Sequence, residues 1–352
     1  MIIKTIDLFN YRNYNRFHIE LDPSINIIIG DNGIGKTNIL ESLVVVSNTK
    51  SFRTNEDFEL IKRDKEYSKI EVNTKDKHFK IIINNKGKIL YINQDLIKKT
   101  SDFIGKLNVV LFKPNDLEIF TDSPKCRRKV LDIEIGKVSK TYLDAILTYT
   151  KLLKDRNNLL KNDRVDEIFL ETINERMLEP IRIIINKRQE MIDFINDRIG
   201  DYYFKLSNQK INIKLEYLKC CDDNQYAIKE MLDGSKERDF IYHYTTCGPQ
   251  KDDFIFYFDD MNLASYASQG QKRMVMIAFK LALCDYIVKY INTEPILLLD
   301  DILSELDLKN KERLLNIIDN NVQTIITTTD LEGIKTKSNY KIFKLRKGML
   351  NE

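Results

Sequence analysis

Tryptophan is absent from this 352-residue sequence, and histidine (three), cysteine (five), proline (six) and glycine (twelve) are all sparse. Each scarcity excludes something. His18, His78 and His243 are too scattered to suggest a zinc site. Cys126, Cys220, Cys221, Cys247 and Cys284 are odd in number and lack C-x-x-C spacing. Reduced thiols in a cytoplasmic protein are therefore expected rather than a disulfide framework. Few glycines and prolines leave no low-complexity linker, and no internal repeat is visible. No apolar run approaches the roughly 18–20 residues of a membrane span. The opening "MIIKTIDLFNYRNY" lacks the charged start and long apolar stretch of a secretory signal. An excess of one charge is missing too: 56 Lys and Arg face 53 Asp and Glu, a net +3 that announces no nucleic-acid partner. Charged residues nevertheless make up 31% of the chain, so local basic patches are permitted, and 43% hydrophobic residues indicate a folded protein.

Against so few glycines, "INIIIGDNGIGKTNILES" (25–42) stands out. Gly30, Gly35, Lys36 and Thr37 meet the pattern G-x-x-x-x-G-K-[ST]. Asn26–Ile29 read as a buried parallel strand, and "KTNILESLVVVS" as the helix that follows. Glycines let the backbone curl so that its N–H groups face a phosphate, and the helix N-terminus adds its positive end. Lys36 would reach the β- and γ-phosphates of ATP, and the Thr37 hydroxyl would ligate Mg2+. The remaining loop positions, Asp31, Asn32, Gly33, Ile34 and Asn38, complete the cradle.

Such a loop is shared by kinases, GTPases, helicases and transporter ATPases. A second stretch narrows the choice. "EPILLLDDILSELD" (294–307) is an aliphatic strand ending in two aspartates. Asp300 would hold Mg2+ beside the loop, and Asp301 would orient or deprotonate the attacking water. On its own the stretch reads equally as a buried strand capped by a solvated turn. Between the two lies "YASQGQKRMVMIAFKLALCDYI" (266–287), a helix with Met274, Ile277, Ala278, Leu281 and Ala282 at helical spacing and Ser268 as N-cap. Ser268, Gly270 and Gln271 at its start form a second anion site, which suggests the γ-phosphate of a partner's nucleotide and an ATP-sandwich dimer. An ordinary capped helix is the alternative.

The order P-loop, S-x-G-Q and LLLDD resembles the ABC-type ATPases, and within them the heads of the Rad50 and SMC class. The run of "LFNYRNY" (8–14), "GDNGIGKTNILE" (30–41), "SFRTNED" (51–57), "LFKPNDLEIFTDSPKCRRKVLD" (111–132), "YTTCGPQKDDF" (244–254), "ASQGQKR" (267–273), "LLLDDILSELD" (297–307) and "QTIITTTD" (323–330) is similar in order and separation to the RecF family of bacterial recombination and repair ATPases. That resemblance implies γ-phosphate contact by Asn32, a place near the nucleotide for Arg12, and action across a dimer interface by Asp307. It also implies DNA at single-strand gaps or junctions, and mediators of the RecO and RecR type that help place RecA. A nucleoid-associated location follows from it as well. Three departures from the family and its wider class stand out. Thr328 sits where transporter ATPases have a switch histidine, Asp301 replaces a common glutamate, and Gln250-Lys251 replace His-Arg. The shorter carboxylate fits slow hydrolysis, with ATP acting as a clamp.

The fold expected is α/β: an ABC-ATPase-type P-loop head with a mixed β-sheet flank and an inserted short helical arm. The head would comprise 1–122 and 208–352 and the arm 123–207. Segments "KIEVNT", "HFKIIINN" and "KILYIN" read as flank strands, and "INIKLEYL" and "KIFKLRKG" as later strands. In the arm, Leu143, Ile146, Leu147, Tyr149 and Leu153 suggest an apolar stripe, with hinges near "KNDRVDE" and Pro180; after it the chain returns through "INIKLEYL" and a polar loop over 222–238. Arg127, Arg128 and Lys129 are weak candidate DNA contacts: a solvated helix face is the commoner reading of such a cluster, and phosphate-side or interdomain contacts fit the triad equally well. Two other functions compete. A permease-coupled ABC subunit conflicts with the absent switch histidine and the long insert, and a small-molecule phosphotransferase leaves S-x-G-Q unexplained.

Overall fold

A computed structural model describes residues 1–162, 164–318, 322–331, 340–346 and, for their backbone, 349–351. In chain order the elements are β1 (Ile3–Tyr11), β2 (Tyr14–Glu20), β3 (Ile25–Ile29), α1 (Lys36–Asn48), β4 (Tyr67–Thr74), β5 (His78–Asn84), β6 (Gly87–Ile92), β7 (Asp95–Ile97), α2 (Thr100–Phe103) and β8 (Val109–Phe112). Then come α3 (Pro124–Val138), α4 (Lys140–Leu159), α5 (Glu167–Ser207), β9 (Ile213–Leu218), α6 (Gln225–Gly234) and α7 (Lys236–Tyr242). The chain closes with β10 (Asp253–Phe258), β11 (Met261–Asn262), α8 (Leu263–Tyr266), α9 (Gln269–Ile291), β12 (Ile296–Asp300), α10 (Leu308–Ile318), β13 (Thr324–Thr328), β14 (Tyr340–Arg346) and β15 (Met349–Asn351). Asp163, within "KNDRVDE", and residues 347–348, the end of "KIFKLRKG", lie outside the described residues.

The protein is α/β with two compact units, one of residues 1–116, 201–209 and 273–352, the other of 117–200 and 210–272. This division follows spatial contacts, whereas 123–207 follows sequence pattern. The first unit holds two sheets. One is antiparallel, in the order β2-β1-β4-β5-β6-β7, and the other is mixed, in the order β15-β14-β3-β13-β12-β8. In the first sheet Ile6, Leu8, Ile70, Val72, Ile81 and Ile83 alternate inward, as a half-buried sheet requires. In the second, β3, β13 and β12 run parallel with Ile28 opposite Thr327 and Thr327 opposite Asp300. Their carboxyl ends therefore finish level on one edge of the sheet, where ligands of open α/β sheets bind.

The second unit builds on the antiparallel sheet β11-β10-β9 and long helices. Here the sequence misled in three places. Proline ordinarily breaks a helix interior at a cost of about 3 kcal/mol, yet α5 runs unbroken from Glu167 to Ser207 through Pro180. Met177, Ile181 and Ile184 are all buried on either side, and that packing holds the helix continuous. The supposed polar loop over 222–238 contains α6 and the first residues of α7. Asn224 caps α6 by accepting from the Ala227 N–H at 2.9 Å, and Ile228 and Leu232 bury one i,i+4 face. Along α4 the buried face is Tyr142, Ala145, Tyr149, Leu152, Arg156 and Leu159, while Leu147 is 55% exposed. Tyr149 of the expected stripe is buried and Leu143, Ile146 and Leu153 are half-buried, but the buried face is shifted toward Arg156, which a hydrophobic pattern does not count.

That arginine is fully buried. Arg156 Nε donates to Asn174 Oδ1 (2.8 Å), and Nη1 to Asp239 Oδ2 (2.7 Å) and Thr245 Oγ1 (2.7 Å). Arg188, on α5, is equally interior. It donates to Asp132 Oδ1 (2.9 Å), Asp252 Oδ2 (3.1 Å), the Pro249 carbonyl (2.8 Å) and Tyr142 Oη (3.1 Å). Thr245, Pro249 and Asp252 of "YTTCGPQKDD" thus line this unit's core, while Tyr244 and Lys251 are exposed. Removing one partner strands a buried charge, which typically costs 3–5 kcal/mol. Asp239→Ala is therefore expected to lower stability by about 3–5 kcal/mol in urea denaturation followed by circular dichroism. A loss of about 1 kcal/mol or less, the value of an exposed pair, would contradict the burial.

Candidate nucleotide-binding site

Between β3 and α1 the backbone enters the left-handed region at Gly33 (φ 78°) and Gly35 (φ 116°). Gly35 is constrained twice, since a Cβ there would also stand 2.6 Å from Asn13 Nδ2 and 2.7 Å from Tyr14 Oη. Both residues belong to the hairpin of β1 and β2, which clips the loop from outside. Asn13 Nδ2 donates to the Ile34 carbonyl (2.9 Å), Tyr14 Oη donates to the Gly35 carbonyl (3.1 Å), and Asn38 Nδ2 donates to Asn13 Oδ1 (2.8 Å). Lys36 is buried and folds back, donating to the carbonyls of Gly30 and, at 3.0 Å, Asp31. Burial lowers its pKa, opposed by the nearby carboxylates Asp301, Asp300 and Asp31. Residues 30–38 thus form a strand–loop–helix turn whose helix N-terminus suits a phosphate.

Opposite the loop, Asp300 Oδ1 accepts from Thr37 Oγ1 at 3.0 Å and from Thr327 Oγ1 at 2.7 Å. Burial pushes the Asp300 carboxyl above its ordinary value, partly offset by those two hydroxyls. Asp301 has a positive φ of 54° and is held by its N–H, which donates to the Thr327 carbonyl and hydroxyl at 3.1 Å each. Its Oδ1 is buried with no hydrogen-bond partner among the described residues. A positive φ and an under-satisfied carboxylate oxygen beside the loop make Asp301 a candidate functional position. Thr328 is buried, and its hydroxyl donates to the Asp330 carbonyl (2.9 Å) rather than to either aspartate.

Arg12, in the turn between β1 and β2, is locked onto α1. Nε and Nη2 grip the buried Glu41 at 2.9 and 2.6 Å, and Nη1 donates to the Glu59 carbonyl. Arg53 was overlooked in the sequence. It donates to Asn38 Oδ1 (2.7 Å), lies 3.8 Å from Glu41, and its charge lowers the Asp300 pKa. Thr327, Asn13 and Tyr14 were overlooked too. Their only sequence signal was membership of "TIITTTD" and "NYRNY", which says nothing about which hydroxyl or amide faces the loop.

Ser268, Gly270 and Gln271 belong to the second compact unit. Ser268 and Gln271 form a reciprocal capping box at the start of α9. Gln271 Oε1 accepts from the Ser268 N–H (2.8 Å), and Ser268 Oγ from the Gln271 N–H (3.3 Å). Ser268 and Gly270 are exposed, and a Cβ on Gly270 would meet nothing within 4 Å. Asp307 caps α10 by accepting from the Asn310 N–H (2.8 Å). Among the basic triad, Arg127 is paired through Nε and Nη2 with Asp253 (2.6 and 2.8 Å), Arg128 donates to the Asp252 carbonyl, and Lys129 is exposed. The two arginines therefore fasten α3 to β10 instead of presenting a solvated face.

Hard oxygen donors in this pattern, a hydroxyl and a buried carboxylate with raised pKa, fit Mg2+ chemically. The same burial makes a prediction for the ligand-free protein. Below its unfolded pKa near 3.8 Asp300 is neutral in both states, and as pH rises through the higher folded value the buried charge becomes a penalty. Asp300→Asn should therefore raise the melting temperature at pH 7 without nucleotide, with the gain vanishing toward pH 3. An unchanged or lowered melting temperature at pH 7 would show that the carboxylate is not under strain from burial.

The family described as "RecF/RecN/SMC N terminal domain" matches residues 2–351. The DNA replication and repair protein RecF of Lysinibacillus sphaericus (strain C3-41) is 36% identical over 370 residues, covering 100% of both chains. That of Clostridium botulinum (strain 657 / Type Ba4) is 39% identical, over 95% of this chain and 94% of its own. The solved structure described as "Structure of the recombination mediator protein RecF-ATP in RecFOR pathway" superposes with a TM-score of 0.90 at 30% identity, covering 99% and 98% of the two chains. The Smc head domain of Pyrococcus furiosus shares the fold with a TM-score of 0.57 at 18% identity, covering 99% and 95%. With the P-loop, the paired aspartates and the S-x-G-Q helix all in place, this chain belongs to the RecF/RecN/SMC N-terminal domain family and, within it, to the RecF proteins.

Proposed function

We propose that this chain is an ATP-gated DNA clamp of recombinational repair, two copies closing around two ATP molecules and reopening on slow hydrolysis. The observation that carries this reading is the contact of Thr37 with Asp300 at 3.0 Å, at the mouth of a P-loop in a chain that matches RecF relatives over its whole length. Lys36 would leave the Gly30 and Asp31 carbonyls for the β- and γ-phosphates, with the amides of residues 30–38 and Asn32 around them. Thr37 and Asp300 would hold Mg2+, which neutralises phosphate charge when bound. Asp301, with an unsatisfied oxygen, would position the attacking water. Thr328 is proposed as γ-phosphate sensor and Arg12 as support for the loop through Glu41.

Ser268, Gly270 and Gln271 would complete the partner's site. Nothing in the chain's own packing requires a glycine at position 270, whereas a phosphate closing on the helix would. The head is proposed to comprise 1–122 and 208–352 and the arm 123–207. DNA at single-strand gaps or junctions is the proposed polynucleotide, with RecO- and RecR-type mediators as partners in loading RecA. For DNA contact Lys129 is the stronger candidate of the triad, since Arg127 and Arg128 are already engaged. Among the described residues no helix is long and apolar enough to cross a membrane, and the permease reading has no feature in its favour.

Sedimentation with and without ATP tests the clamp. Asp301→Asn should form an ATP-dependent dimer that retains gapped DNA. Ser268→Arg and Gly270→Arg should bind ATP yet stay monomeric. An unchanged mass in Asp301→Asn at saturating ATP would remove the sandwich dimer, and "SQGQ" would revert to a capped helix start.

A further inference from the structure

Cys220 and Cys221 are adjacent in sequence, follow the end of β9, and take no part in the nucleotide chemistry. Their sulfurs are 4.0 Å apart, both side chains are half-buried, and neither is in a disulfide. The Cys220 N–H donates to Asp252 Oδ1 at 2.8 Å. Asp252 also accepts from Arg188 and from the Tyr217 hydroxyl, so the pair hangs on the polar core of the second unit. We propose that Cys220 and Cys221 are a vicinal dithiol modification site, converted reversibly to a disulfide by low-molecular-weight disulfides such as oxidised glutathione.

The two thiols are not equivalent. Across this sulfur contact, in which either thiol can donate, the Cys221 pKa is lowered and that of Cys220 raised by the shared hydrogen bond, and burial raises Cys220 further. The outward-facing charges are partly spent, since Lys219 pairs with Asp222 at 2.6 Å. Cys221 is therefore the attacking thiolate and Cys220 the resolving thiol. In the first step the Cys221 thiolate attacks one sulfur of the small disulfide, forming a mixed disulfide and expelling one small thiolate. In the second, Cys220 gives its proton to that thiolate and its sulfur attacks the Cys221 sulfur, expelling the second small thiolate, which takes from solvent the proton that Cys221 lost on ionising. Two protein thiols lose two electrons and two protons, and the small disulfide gains them as two thiols. Adjacent Cα atoms lie about 3.8 Å apart, short of the usual disulfide span of about 4.4–6.8 Å. The closed ring is accordingly strained, and a strained disulfide is readily reduced, the behaviour of a labile switch rather than a structural staple.

The test uses the full chain, incubated with oxidised glutathione, alkylated and digested with trypsin. Cleavage after Lys219 and Lys229 releases "CCDDNQYAIK", which holds both sulfurs. The expected product is this peptide unalkylated and lighter by two hydrogens, restored to two alkylated thiols by dithiothreitol. Cys220→Ser should instead accumulate a glutathione adduct on Cys221, and Cys221→Ser should leave Cys220 largely unmodified. A lasting glutathione adduct in the unsubstituted chain, or a peptide alkylated at both positions after oxidation, would overturn the proposal. Equal adduct formation in the two serine variants would overturn the assignment of roles.

Discussion

Asp300 at the last position of β12 accepts from Thr37 at the start of α1 and from Thr327 on β13. Three segments distant in sequence are tied together there, and the tie works only if β3, β13 and β12 are parallel and end level. A slip of one residue in any register would turn Asp300 or Thr327 to the other face of the sheet. The antiparallel sheet, the hairpin clip on Gly35 and the Arg12–Glu41 pair all stiffen the same corner. Without nucleotide, the site holds a raised carboxyl, a lysine turned onto its own loop and an unsatisfied aspartate oxygen. Each is a local cost that a cation and a polyphosphate would relieve.

The second unit solves a different problem. Its helices carry too many charges for a purely apolar core, and it buries two arginines with their acids instead. Arg156 and Arg188 draw α4, α5, α7 and the 244–252 segment before β10 onto buried carboxylates, an arrangement in which any one loss strands several neighbours. This explains why "YTTCGPQKDDF" bears so many polar residues. Thr245, Thr246 and Asp252 are structural partners, and Arg127 and Arg128 spend their charge on the adjoining strand.

Several elements were legible beforehand because their signals are local. The P-loop is written in contiguous residues whose backbone conformation needs glycine, the flank strands alternate with period two, and Ser268 reads as a helix N-cap. Other features escaped for physical reasons. Pro180 looked like a hinge, but a break there would have exposed the buried residues on both sides. Residues 222–238 looked like a polar loop because α6 buries only one narrow face. The α4 stripe was misplaced because hydrophobicity gives no credit to an arginine whose charge is neutralised eighty residues downstream.

The sequence by itself determined the local pattern: a glycine-bearing strand–loop–helix turn, an aliphatic strand ending in Asp300 and Asp301, and a helix capped at Ser268. Those depend on short-range spacing, which any chain must obey. Only the tertiary structure decided which hydroxyl meets Asp300, that Thr327 rather than Thr328 supplies it, that Arg53 stands over the site, and that two of the three candidate basic residues are already paired. Such choices follow from strand register and from competition among partners for the same buried charge. They are long-range quantities, and no spacing along the chain encodes them locally.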